Sequence, residues 1–263
     1  MITRKLCTTA GAFAALALSV SSASAAMVAN FTFDDAGDLG ANTGTVATAW
    51  NNFSEVTQTA GRFGAGAGSF VAGSSSAWDG DFSVANMESF SLSMHVKSSQ
   101  ANSWKDFVSI GTGNNVVFVL ERTGAEGVAN YNIGSVGGVN EGQVAYSPGA
   151  GTFDVDDGAW HHLGLTVGGG TLTLYIDGQN RGSAAYSGTG AMSAFQLASR
   201  FGDGDRAITT EIDDVAIFDN TLTDGEMLFL STNAAASAVA VPEPSSAALL
   251  GLGGLALILR RRK

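Results

Sequence analysis

Apolar and polar residues alternate where Phe90, Leu92, Met94 and Val96 are separated by Ser91, Ser93 and His95. That is the period-two pattern of a strand with one buried face. Leu172, Leu174 and Ile176 alternate in the same way with Thr171, Thr173 and Tyr175, and Asp177-Gly178 then supplies a tight hairpin turn. Val116 to Leu120 is continuously apolar and reads as a strand buried on both faces. Further strands are predicted at Ala29 to Phe33, Trp160 to Val167 and Ile212 to Phe218. Thr223 and Glu226 have the spacing of a capping box, so Met227 to Leu230 should form a short helix. Ala36 to Ala60 has weak periodicity and reads mostly as loop. Strands joined by turns, with almost no helix, predict two antiparallel sheets packed face to face. Residues 27–233 are too many for an immunoglobulin-like sandwich, which needs about 100, so the expected all-β architecture is a jelly roll.

Both ends depart from this pattern. Arg4 and Lys5 precede an uncharged apolar run, Leu6 to Val20, followed by Ser21-Ser22-Ala23-Ser24-Ala25-Ala26. Positive charge, apolar core and a small-residue exit in that order predict a signal peptide over residues 1–25. Ala23 and Ala25 fit the small-x-small pattern of signal peptidase, with the cut after Ala25 or Ala26. Cys7 opens the apolar run rather than closing it, which argues against a lipoprotein signal. At the other end, residues 234–240 form a linker. Val241-Pro242-Glu243-Pro244, an apolar run from Ala247 to Leu259, and Arg260-Arg261-Arg262-Lys263 come after it. Such a run as helix reaches about 20 Å, against a hydrocarbon core of about 30 Å. Extension back to Ser245 and snorkelling of the basic residues narrow the gap, giving a short transmembrane helix. The basic cluster stays cytoplasmic, which holds the preceding domain outside the inner membrane.

Pro242-Glu243-Pro244, the short Gly/Ala/Leu helix and the Arg260, Arg261, Arg262 cluster together resemble the PEP-CTERM sorting signal. The resemblance covers 241–263. It implies an exosortase-type protease cutting near Pro-Glu-Pro, a Gram-negative source, and a destination at the cell surface or in an extracellular polysaccharide matrix. An uncut C-terminal anchor is the other reading of the same segment.

Charge and composition narrow the partners. The full chain has 24 acidic and 13 basic residues. Without its two terminal segments the domain keeps 23 acidic and 7 basic residues, a net of −16. Such a surface repels phosphate backbones and excludes nucleic acid as a partner. It favours cations, calcium first among them outside a cell. The mature domain has no cysteine, which excludes thiol chemistry and cysteine-based metal sites. No proline-rich linker divides it, consistent with one domain.

A second resemblance covers Ala29 to Leu230. Trp160-His161-His162-Leu163, then Gly168-Gly169-Gly170-Thr171 through Asp177-Gly178, is similar to the central signature of laminin-G-like, concanavalin A-like domains. Gly61-Arg62-Phe63-Gly64, Phe90-Ser91-Leu92-Ser93-Met94 and Ile212-Asp213-Asp214-Val215-Ala216-Ile217-Phe218 resemble other segments of that family, in the family's order. His95 stands where the family often has Trp. The resemblance implies a concanavalin A-like jelly roll with its first and last strands side by side.

Several residues are candidates for chemistry. Glu211-Ile212-Asp213 resembles the catalytic strand Glu-x-Asp-x-x-Glu of glucanases with this sandwich. A retaining glycosidase needs two carboxylates about 5 Å apart. Here the second position falls on Val215 or Ala216, neither of which can donate a proton, so no catalytic residue is expected. His161 and His162 point to opposite faces of one strand and cannot easily share a metal. Gly111-Thr112-Gly113 lacks the lysine of a phosphate loop and reads as a turn. Asp34 and Asp213, with Asp38 third, are the expected calcium ligands, because the resembled family often binds calcium where its first and last strands meet. Trp50, Trp78, Trp104, Tyr131 and Tyr146 lie where exposed rings could stack on sugars. The expected function is a non-catalytic exported module binding glycan or another extracellular polymer. A glycoside hydrolase acting on β-glucan and a purely structural matrix protein are the alternatives.

Overall fold

The computed structural model describes residues 25–46, 55–73, 77–79, 86–99, 105–112, 115–123, 130–134, 144–146, 155–186, 188–192, 194–199 and 206–238. The Pro-Glu-Pro segment, the apolar run expected to form a membrane helix, the basic cluster and Ala23 lie outside them. Among the described residues no helix is long and apolar enough to cross a membrane.

Fourteen described strands build two antiparallel sheets. In chain order they are β1 (Met27–Phe31), β2 (Thr57–Thr59), β3 (Ala67–Phe70), β4 (Ala77–Asp79), β5 (Phe90–Lys97), β6 (Lys105–Thr112) and β7 (Asn115–Thr123). Then come β8 (Asn130–Gly134), β9 (Val144–Tyr146), β10 (Trp160–Gly168), β11 (Thr171–Ile176), β12 (Gln179–Ala185), β13 (Ala194–Leu197) and β14 (Thr210–Phe218). Sheet A runs β12-β11-β10-β5-β14-β3-β2, with β1 also pairing β14; sheet B runs β4-β13-β6-β7-β8-β9.

The predicted alternation is realised. Leu92 and Met94 of β5 and Leu163 and Leu165 of β10 meet Val108 and Ile110 of β6 and Phe195 and Leu197 of β13 in one fully buried cluster between the sheets. Burying a side chain of this kind stabilises by about 1.5–3 kcal/mol. The first strand begins and ends earlier than the sequence pattern suggests. Phe33 adopts φ 56°, which ends the ladder, yet its ring is buried and packs edge-on to Phe70 with centroids 6.2 Å apart.

β14 changes partner along its length. Thr210–Ile212 pair with β3, and Val215–Phe218 pair with β1. A bulge between Asp213 and Ala216 marks the changeover, with Asp214 at φ 51°. Aspartate tolerates that left-handed conformation better than most residues. The extra residue leaves Ile212 and Val215 in the core and Asp213 on the opposite, outer face.

The outer face of sheet A carries the helices. α1 (Asp224–Leu230) opens on the predicted capping box, in which Thr223 Oγ1 accepts from Glu226 N and Glu226 Oε2 accepts from Thr223 N at 2.7 Å. Its Met227 and Leu230 bury against Tyr175, Ala216 and Phe218, joined by Met27 and by Ala235 of α2 (Ala235–Ala238). Tyr175 Oη donates to Asp224 Oδ1 at 2.6 Å.

Candidate functional site

The densest polar cluster lies on this outer face, beside the bulge. Register puts Asp213 across from His95, and His95 across from His162, so three strands deliver one row. The two imidazole centroids are 5.2 Å apart. His162 Nε2 and Ser93 Oγ are 3.0 Å apart. His95 Nε2 lies 3.4 Å from the Ser231 carbonyl, an acceptor only, so that nitrogen carries the proton.

The loop from Gly61 to Gly66 closes over this row. Asp213 Oδ2 accepts from Arg62 N at 2.8 Å and from Phe63 N at 2.9 Å. Asp34 Oδ1 accepts from Ala65 N at 2.5 Å and Gly66 N at 2.9 Å. Two carboxylates thus hold one loop, one at each end. The Arg62 guanidinium donates to the carbonyls of Trp160 at 3.2 Å and Ser231 at 3.0 Å, tying the loop to β10 and to the end of α1. Phe63 packs edge-on to His95 at 4.9 Å.

Burial sets the charge states. It holds the His95 imidazole down at about 2, helped by His162 and Arg62, and the His162 imidazole at about 4. Burial also pushes the Asp213 carboxyl up to about 7, against the loop N–H groups, and the Asp214 carboxyl up to about 6. Both imidazoles are therefore neutral at physiological pH. His95 and His162 are 0% exposed and Asp213 is 1% exposed, so no substrate reaches them. The cluster seals sheet A and fastens the loop.

His161 points to the other side, as strand geometry requires. Its Nδ1 lies 3.0 Å from Asp177 Oδ2 and its Nε2 3.1 Å from Asp157 Oδ1. Both carboxylates can only accept, so they favour the protonated ring, in which both nitrogens donate. Burial lowers its pKa, but the two carboxylates outweigh that and raise it overall.

Glu211 pairs with Lys97 at 2.8 Å. Val215 is buried in the inter-sheet core and Ala216 lies under α1, so neither residue offers a second carboxylate on this strand.

The three expected calcium ligands are spread out. Asp34 and Asp213 grip opposite ends of the loop, and Asp38 is exposed in a turn where its carbonyl accepts from Ala41 N at 3.0 Å. No three His, Cys, Asp or Glu side chains gather to hold a metal among the described residues. The carboxylate that feels the charge of Asp34 is Asp214, whose Oδ2 also accepts from Ala235 N at 2.5 Å.

Sheet B differs in its outward positions. A bulge beside Phe107 turns both Phe107 and Val108 into the core and leaves Asp106 and Ser109 on the opposite side of the strand, where both are still fully buried. Gln196 of β13 stands across from Ser109 and, on its other side, across from Trp78 of β4. Gln196 is buried, and its Oε1 has no hydrogen-bond partner among the described residues. Tyr131 and Tyr146 are paired in register across β8 and β9. Trp50 and Trp104 lie outside the described residues. Gln196 carried no sequence signal, because β13 is only four residues long.

A sequence profile of the concanavalin A-like lectin/glucanases superfamily matches residues 73–227, more than half of the chain. The chain belongs to this superfamily. A second profile, the PEP-CTERM protein-sorting motif, matches residues 240–263. This concanavalin A-like protein is therefore exported, directed to the cell surface and processed by an exosortase. Its fold is similar to domain 4 of AbnA, a GH43 extracellular arabinanase from Geobacillus stearothermophilus solved with arabinotriose. The two share 22% identity and a TM-score of 0.59 over 79% of this chain and 98% of that one. It also resembles the binding domain of Paraclostridial Mosquitocidal Protein 1 (14% identity, TM-score 0.57, 78% of this chain) and the receptor-binding domain of botulinum neurotoxin type G (12%, 0.54, 78%). The concanavalin A-like chain covers about half of each of those two toxin chains. No curated protein matches at the level of sequence.

Proposed function

We propose that this is a non-catalytic glycan-binding module displayed at the cell surface or in the surrounding matrix, with sheet B as its ligand face. The observation that carries the reading is the asymmetry of the two outer faces. α1 and the Gly61–Gly66 loop seal sheet A over apolar side chains and neutral imidazoles. On the outer side of sheet B, Gln196 lies in register with Trp78 on one side and, on the other, with Ser109, which is fully buried and donates to the Ser199 carbonyl at 3.1 Å. An aromatic residue beside an amide is what a pyranose or furanose requires: a ring to stack on and a group to bond its hydroxyls. The unpaired Gln196 Oε1 costs free energy that a sugar hydroxyl would recover. The arabinotriose bound to domain 4 of the arabinanase supports a sugar as the ligand class.

A glycan array read with and without calcium, followed by calorimetry on the best binder, tests this. Gln196→Ala should weaken binding by roughly tenfold, the loss of about one net hydrogen bond, and Trp78→Ala by at least as much. An array without a binder would favour the structural-matrix reading. Release of reducing sugar, abolished by Glu211→Gln, would favour a glycosidase.

Calcium belongs to the same proposal, at Asp34 and Asp214. The charge of Asp34 helps to raise the pKa of the Asp214 carboxyl where β1 meets β14, and oxygen donors of this kind suit Ca²⁺. At a hundredfold excess over its dissociation constant, calcium should stabilise the domain by about 2.7 kcal/mol. That raises the melting temperature by roughly 5–11 °C. Asp214→Ala should abolish the rise, and sodium at equal ionic strength should not reproduce it. A melting temperature indifferent to chelator would refute the cation.

A further inference from the structure

We infer that signal peptidase cuts between Ala25 and Ala26, and that the ammonium so created is captured by the Asp219 carboxylate, which completes the β1–β14 edge. This inference is independent of the glycan reading. The small-x-small pattern alone admits two cuts, after Ala25 (Ala23, Ala25) or after Ala26 (Ser24, Ala26). The structure distinguishes them. Ala26 N donates to Asp219 Oδ1 at 2.8 Å, and Asp219 N donates to the Ala26 carbonyl at 3.0 Å. Residue 26 is thus the first rung of the ladder that β1 continues with Met27 against Phe218. A cut after Ala26 would remove both bonds and leave Asp219 N without its acceptor. A cut after Ala25 keeps both and improves one. Water adds across the Ala25–Ala26 peptide bond, Ala25 leaves with the new carboxylate, and the new amine of Ala26 takes a proton. The same 2.8 Å contact then joins an ammonium to a carboxylate. Charge assistance shortens and strengthens such a bond relative to an amide donor.

Ala26 and Asp219 are exposed at this point, which leaves the new end open to solvent. The strand beyond it is closed to solvent: Ala29 and Phe31 are fully buried in the inter-sheet core. A peptidase needs its substrate extended and accessible on both sides of the scissile bond, so Ala26 and Met27 must be undocked while the cut is made. Cleavage therefore precedes docking of β1, and Asp219 retains the strand once it arrives.

Two measurements on the exported protein decide this. Its intact mass and N-terminal sequence should begin at Ala26; a first residue of Met27, or any other, would overturn the inference. The α-amine of that chain should titrate above the ordinary range of about 7.7–8.0, because the carboxylate favours the ammonium. Amine labelling at pH 7 should be roughly threefold slower than in Asp219→Asn, and raised salt should narrow the difference. Asp219 is exposed, so the variant keeps the fold. Equal labelling rates in the two proteins would show that the ammonium is not captured.

Discussion

Replacing Asp213 with alanine lowers the melting temperature of the domain by roughly 4–24 °C, whereas replacing it with asparagine leaves it stable and changes its response to pH. The alanine variant strands the N–H groups of Arg62 and Phe63, both of which donate to Asp213 Oδ2. Leaving such groups unsatisfied costs about 1–3 kcal/mol each, and for a domain of this size each kcal/mol is worth about 2–4 °C. Asparagine keeps an oxygen acceptor and discards the charge. The Asp213 carboxyl titrates at about 7 in the fold, above its ordinary 3.8. The native state therefore binds more protons than the unfolded state between these values. The stability this group contributes is fully present below pH 4 and is lost as pH rises through 7. Its loss amounts to something on the order of 4 kcal/mol, because the side chain is almost wholly buried. His162 and His95 work in the opposite sense. Their depressed values make the fold lose stability as pH falls below 6.5, toward about 4 and about 2. Melting curves of wild type and Asp213→Asn between pH 4 and 9 should thus converge in acid and diverge toward pH 8, with asparagine the more stable. A constant offset across that range would mean that the carboxyl is not elevated.

Gly178→Ala should cost roughly 2–5 kcal/mol, while Gly169→Ala should cost about 1. Both glycines have positive φ, +71° and +57°, so both substitutions meet the backbone penalty. Only Gly178 also meets a neighbour. A β-carbon there would lie 2.7 Å from Ser231 Oγ and 2.8 Å from the Leu228 Cα. The second contact is helix backbone and cannot swing aside. The β11–β12 turn and α1 touch at this glycine, so a side chain would push α1 away and loosen the apolar cluster beneath it. Paired thermal melts of the two variants check this, and equal losses would mean that α1 gives way freely.

Much of the sandwich was legible in the chain. β5 and β11 were visible because their apolar residues alternate, β14 because Val215 to Phe218 is an apolar run, and α1 because Thr223 and Glu226 announce its first turn. β12 was not, because Gln179–Ala185 is an edge strand with no apolar face; only the turn before it gave it away. β3 and β13 are four residues each, too short for a period to show. The site was less legible than the fold. The opposite directions of His161 and His162 follow from strand geometry, but the pairing of His162 with His95 depends on β10 lying beside β5, some seventy residues away in sequence. Asp213 was expected as a metal ligand because the resembled family often binds calcium where its first and last strands meet. Only the position of the Gly61–Gly66 loop reveals that its carboxylate has backbone N–H partners. Arg62 stood in a family-like segment, but its bonding role was hidden, since its guanidinium bonds carbonyls of segments distant in sequence.

The meeting of β1 and β14 also has a mechanical side. The chain enters β1 at Ala26 and leaves β14 at Phe218, at the same end of one antiparallel pair. Hydrogen bonds in such a pair lie across the strands. Once the helices have yielded, tension between the two ends of the domain would load these bonds in sequence, as in a zipper, with the Ala26–Asp219 rung first. Strands pulled along their length would instead share the load among all their bonds. A domain tethered at both ends would therefore open at low force from this seam. One cut free at Ala26 and held only from its C-terminal side leaves β1 slack, however hard the surface it is attached to is pulled.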